Sequence, residues 1–158
     1  AVEGAYWLRE PGPNPDFVIA YQGVVAPEAI RAAGILAEHR RDIGVLAVTS
    51  ADRLHKDWSA AQAARSGGGA DLSPVERLLM RLPQNCTLVT VIDGHPAALS
   101  WLGAVAGHRT LPLGVDRFGQ TGSIGDLYRL NGIDAAGIVE RIGALTPGRP
   151  VAAPRLIA

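Results

Sequence analysis

Disulfide chemistry is the first thing the sequence excludes. Its 158 residues hold a single cysteine, Cys86, so no intrachain bridge can form and the chain fits a reducing cytoplasm. Charge of one sign is lacking as well. Fifteen basic and fifteen acidic side chains cancel, which removes the long-range field that gathers nucleic acid or an anionic membrane surface. No apolar run approaches the roughly 20 residues of a spanning helix, and the opening AVEGAYWLRE lacks the basic-then-apolar layout of a signal peptide. The expectation is a soluble, cytoplasmic chain with neither nucleic acid nor membrane as partner. Methionine is equally scarce: Met80 stands alone and no methionine starts the chain, which suggests a piece of something longer.

Apolar residues are plentiful, 47% of the total, enough for the core of one domain. PGPNPD, residues 11–16, cannot lie inside a helix or a central strand, because its prolines fix φ and remove donors. Upstream, GAYWLRE alternates weakly and reads as a short edge strand. Downstream, FVIAY (17–21) is an apolar run of strand length, as expected for a strand buried on both faces of a parallel sheet. From Ala26 the period changes. Pro27 and Glu28 suit a helix start, Ile30, Ala33 and Ala37 form an apolar stripe beside Ala29 and Leu36, and His39-Arg40-Arg41 fits the negative end. DIGVLAV (42–48) completes a βαβ unit.

Thr49-Ser50 is a cap candidate for a helix through ADRLHKDWSAAQAARS, and SGGGAD reads as a loop. Ser73-Pro74-Val75-Glu76 has the form of a capping box, and Pro83 ends that helix. Cys86 reads as a small hydrophobe leading into TLVTVID (87–93), a third buried strand. HPAALSWLGAVAG is small and apolar enough to be one helix packed closely on a sheet or another subunit. HRTLPLGVD (108–116) is a fourth strand, with Pro112 favouring an edge. Ser123 and Asp126 cap a short helix closed by Asn131-Gly132, and Asp134 caps a last helix bearing Ile138, Ile142 and Leu145. The boundaries expected are an edge strand and linker over 1–16, a core domain over 17–146 and an irregular tail over 147–158.

Parallel sheets present ligand sites at the carboxyl ends of their strands, near the switch in strand order. Asp93-Gly94-His95 lies at such an end and could supply an acid/base pair or two metal ligands. A third ligand at metal spacing is missing, so a loop carboxylate and a histidine held by local hydrogen bonds or a neighbouring chain is the competing account. With Trp101, these two residues form a candidate strand-end or interface site. Ser50, Ser100 and Ser123 lack the Gly-x-Ser-x-Gly turn that exposes a nucleophile. Trp7, Trp58 and Trp101 are too dispersed along the chain to suggest a stacking platform. The turn GVDRFGQTGSIGD has neither dinucleotide nor Walker spacing, leaving a helix N-terminus that could hold an anion or only its own caps.

DFVIAYQGVVAPEAIRAAGILAEHRRDIGVLAVTSADRL, followed by TLVTVIDGHPAALSWLGAVAGHRTLPLGVDRFGQTGSIGDLYRLNGIDAAGIVERIGAL, resembles the C-terminal domain of the transketolase superfamily of thiamine-diphosphate enzymes. The most specific element is GVDRFGQTGSIGDLYRLNGIDAAGIV. VTS after the second strand and HPAALSW after the third are most like the homodimeric pyruvate dehydrogenase decarboxylating component. The resemblance implies an α/β three-layer sandwich around a mostly parallel five-stranded sheet with one antiparallel edge strand. It also places thiamine diphosphate and magnesium between two preceding domains, across a homodimer interface. Gly-Asp-Gly, the diphosphate motif of those domains, is absent here. The resemblance therefore implies no catalytic, cofactor-binding or metal residue in this chain, and makes Asp116, Arg117, Phe118 and Gly119 a structural turn: an ion pair, a core plug and a sharp bend. The expected role is a dimerisation domain, inert alone, of a pyruvate dehydrogenase component, with its own preceding domains and a dihydrolipoyl acyltransferase as partners. The alternatives are the same domain of a transketolase moving two-carbon units between sugar phosphates, and a free-standing interaction module.

Overall fold

The structure, a computed structural model, describes residues 3–39, 42–117 and 119–145. The chain runs β1 (Ala5–Arg9), β2 (Phe17–Gln22), α1 (Ala26–Ala37), β3 (Gly44–Val48), α2 (Ala51–Ser66), α3 (Pro74–Leu79), β4 (Thr87–Ile92), α4 (Ala97–Ser100), α5 (Leu102–Ala106), β5 (Arg109–Leu113), α6 (Ile124–Asn131) and α7 (Ala135–Leu145). The five strands form one sheet in the order β1-β3-β2-β4-β5. β2 to β5 are mutually parallel, and β1 lies antiparallel on β3, with Ala5 opposite Val48. Among the described residues no helix is long and apolar enough to cross a membrane.

The two cores follow from the period of a strand. Ile19, Tyr21, Val45, Ala47, Val89 and Val91 point to one face, where α1 and α7 cover them. Val18, Ala20, Leu46, Val48 and Leu88 point to the other, under α2 to α5. Both faces are dry, which explains why β2 and β3 are unbroken apolar runs rather than alternating ones. β1 and β5 are the edges, as the weak alternation of the first and Pro112 in the second indicate.

Four expectations need correction. In α1 the buried stripe is Ala29, Ala32, Ala33 and Leu36, while Ile30 is exposed; small side chains on the inner face let the helix lie close to the sheet and to α7. The same helix ends at Ala37, so His39 lies beyond its last turn, and Arg40 and Arg41 lie outside the described residues. HPAALSWLGAVAG forms two short helices rather than one. Tight local bonds, Leu99 N to Pro96 O and Ala104 N to Trp101 O, redirect the chain at Trp101 while keeping Leu99 and Leu102 fully buried. Ser50 is the N-cap of α2 by position, but its side chain makes no capping bond. The box at Ser73 and Glu76 is complete in both directions.

Candidate functional site

The connection from β2 through α1 leads to β3 on one side, and that from β4 through α4 and α5 leads to β5 on the other. The strand order therefore reverses between β2 and β4, and a crevice opens outside their carboxyl ends. Gly23 follows β2 there with φ of 86°, and a Cβ at this position would lie 2.5 Å from Asp93 Oδ1. Only glycine gives both the left-handed turn and the room for that carboxylate. Across the crevice Val115 N donates to Gly94 O at 2.8 Å, and a Cβ on Gly114 would lie 2.5 Å from the same carbonyl. Close backbone approach thus clamps the ends of β4 and β5 together.

Val24, Asp93, Val115, Ile124, Leu127 and Tyr128 line a groove of about 380 Å³ above these ends. Burial pushes the Tyr128 phenol above its ordinary value, and the Asp93 and Glu28 carboxylates add to that. Glu28 is held by a distant partner: its Oε2 accepts from Ala135 N at 2.7 Å, joining α1 to the first turn of α7. Asp134 completes that cap by accepting from Gly137 N at 3.1 Å. Removing the longer link by Glu28→Ala is expected to lower stability by about 1 kcal/mol, read as a shift of the urea midpoint; an unchanged midpoint would show water replacing the carboxylate without loss.

The candidates named from sequence are spread over this edge. Asp93 is exposed against Gly23, and His95 is exposed with Nδ1 accepting from Ala97 N at 3.2 Å, a local bond that caps the start of α4. Trp101 belongs elsewhere, on the face under α2. There it stacks on Trp58 with ring centroids 5.5 Å apart, and His55 meets its edge at 4.9 Å. Two of the three tryptophans dispersed in sequence, Trp58 and Trp101, are thus gathered by the fold into a half-buried pair packed against the second core, while Trp7 packs on that core without joining the stack. Asp116 and Arg117 are both exposed, and among the described residues no ion pair joins them; two adjacent solvated charges gain little from pairing. Phe118 lies outside the described residues. Gly119 has φ of 95°, so the bend there does require glycine.

The N-terminus of α6 is occupied by its own side chains. Ser123 Oγ accepts from Asp126 N at 3.2 Å and donates to Asp126 Oδ2 at 2.6 Å, and Arg129 lies 3.1 Å from Oδ1. A carboxylate at the position where a phosphate would sit opposes anion binding. Among the described residues no group of three or more His, Cys, Asp or Glu is gathered. The groove's polar side chains are Asp93, Arg117, Gln120, Tyr128 and Asn131; a single carboxylate among them is a poor match to the oxygen ligands of a magnesium diphosphate. Cys86 is fully buried, and burial, with Asp16 adding to it, pushes its thiol up to about 12. We expect no reaction of Cys86 with a disulfide reagent in the folded chain and stoichiometric reaction in denaturant; fast labelling of the native chain would contradict the packing.

Residues 4–134 match the family described as the transketolase-like TK C-terminal domain. The chain belongs to that family. Solved transketolases share the fold of this C-terminal domain. Transketolase from Campylobacter jejuni matches with a TM-score of 0.62 and 19% identity over 90% of this chain and 18% of its own. Transketolase from Leishmania mexicana gives 0.60 and 19% over 95% and 19%. A split-gene transketolase, solved as an inactive β4 tetramer, gives 0.60 and 16% over 89% and 41%. The domain therefore spans about a fifth of the length of the first two. Among curated proteins compared by sequence, none matches.

Sequence reasoning missed Tyr128 and the long-range role of Glu28, which was read only as a helix-start residue. No periodicity could link Glu28 to Ala135, 107 positions away.

Proposed function

We propose that this chain is the C-terminal domain of a thiamine-diphosphate enzyme of transketolase type, which moves two-carbon ketol units between sugar phosphates. The observation that carries the reading is the family match over residues 4–134, with the likeness to transketolases behind it. The strand-end chemistry described above supports a scaffold rather than a catalyst, with the preceding domains of the same polypeptide as partners and homodimerisation in the full enzyme. When bound by those domains, thiamine diphosphate with magnesium supplies the carbanion chemistry; nothing in this chain's described residues is assigned to it.

Val48-Thr49-Ser50 and His95–Trp101 favour a second reading, the decarboxylating component of pyruvate dehydrogenase, which would bring a dihydrolipoyl acyltransferase as partner. Assaying the full-length polypeptide decides between them. The leading reading expects turnover of xylulose 5-phosphate with ribose 5-phosphate and none of pyruvate with ferricyanide, and the reverse pattern would replace it. Turnover or tight thiamine diphosphate binding by the 158-residue chain alone would contradict the scaffold role. An upstream start signal and stop codon would favour a free-standing interaction module.

A further inference from the structure

We infer that the apolar face of α6, with Val24 and Val115 beside it, is the surface on which the preceding part of the same polypeptide docks; this rests on the reading that the chain is the C-terminal domain of a larger enzyme. α6 has eight residues, too few to be stable by helix propensity. Its apolar positions Ile124, Leu127 and Tyr128 lie on one side at helical spacing, yet none of its residues is fully buried. Ile124 is 69% exposed and Val24, facing it across the groove, 70%. Isolated exposed apolar side chains such as Ile30 on α1 are ordinary on any surface, but a contiguous group lining a groove marks a contact.

The occupant follows from where the chain enters. β1 runs antiparallel to the rest, with Ala5 opposite Val48, the last residue of β3. Whatever precedes Glu3 therefore arrives at the carboxyl end of the parallel strands, the end that carries the groove. In the order β1-β3-β2-β4-β5 three strand intervals separate β1 from β4, at about 4.8 Å each. A domain of ordinary size, with a radius of gyration of about 13 Å, reaches across that span when tethered at β1. The domain accounts for 18 and 19% of the two transketolases, so on this reading about four-fifths of the polypeptide lies outside it.

Site-specific thiol labelling tests this in the full-length polypeptide. Ile124→Cys and, as reference, Ile30→Cys are treated with a maleimide, and the rate at each site is read by mass spectrometry. Docking predicts that Cys at 124 reacts about tenfold or more slowly than Cys at 30; Val24→Cys repeats the measurement at a second groove residue. Equal rates would overturn the proposal. So would shielding that grows with protein concentration, because the cover would then be a second copy. Calorimetry with thiamine diphosphate on the same variants examines the parent reading separately: shielding without cofactor binding rejects that reading and leaves the docking surface standing.

Discussion

Replacing Glu76 with alanine is expected to lower the stability of the fold by about 3 kcal/mol at neutral pH. Glu76 is only 4% exposed, and its carboxylate serves four donors at once. Ser73 N and Ser73 Oγ reach Oε2 at 2.8 and 2.7 Å, and Arg65 bridges both oxygens, at 2.5 Å to Oε1 and 3.3 Å to Oε2. Alanine would leave the Ser73 hydroxyl without its acceptor and Arg65 with the Asp71 carbonyl and solvent. The effect sits at the lower end for a broken buried pair, because the Arg65 side chain remains 34% exposed and can recover water. Burial raises the Glu76 pKa, but the Arg65 and Ser73 contacts outweigh it and hold the carboxyl below its ordinary value. The sign follows: this contribution is complete above the ordinary glutamate value of about 4.3 and is lost as pH falls through the lower folded value. Urea midpoints measured between neutral pH and about pH 3 should therefore fall more steeply for the native chain than for Glu76→Gln. Parallel pH profiles, or a neutral-pH loss below about 1 kcal/mol for Glu76→Ala, would show that the network is solvated and weak.

Gly103→Ala is expected to cost about 2 kcal/mol through overpacking alone. Gly103 sits where α5 crosses β5, and a Cβ there would lie 2.5 Å from Thr110 Cγ2 and 2.7 Å from His108 O. The first clash involves a methyl group that Thr110→Ser removes, whereas the second involves backbone and can be relieved only by moving the helix. The double variant should recover part of the loss and not all of it. A midpoint unchanged in Gly103→Ala would mean that α5 rides further from the sheet than described.

Gly103 also shows how far the sequence could be read. The run of small apolar residues from Ala97 to Ala106 announces close packing, and the close approach at Gly103 bears that out. Which surface it packs on, a sheet or another subunit, depended on the path of β5. The strands were legible because burial on both faces writes unbroken apolar runs such as FVIAY and GVLAV. The caps at Ser73, Ser123 and Asp134 were legible because each satisfies donors within three residues. The buried face of α1 was misplaced at Ile30 because alanine-rich stripes carry little contrast, so a one-residue rotation changes which large side chain faces out.

The candidate site was legible only in part. Asp93 could be placed at a strand end from sequence, since the carboxyl end of an apolar run defines that position. Its neighbours Gly23 and Tyr128 come from elements more than thirty residues away on either side, and nothing local connects them. The stacking of Trp58 on Trp101 was similarly hidden, because α2 and the turn at Trp101 meet only through the sheet that both cover.

Local chemistry, then, determined from the sequence alone that this chain alternates strands and helices, where most of those helices start, and that its parallel strands are buried on both faces. The tertiary structure decided the reversal of strand order between β2 and β4, the clamp of Gly94 on Gly114, and the exposure of α6 at the end where the chain enters. The physical reason is range. Hydrogen bonds within a turn and side-chain periods are written in neighbouring residues, while the choice of which apolar face finds a partner is made only when distant segments compete for the same sheet.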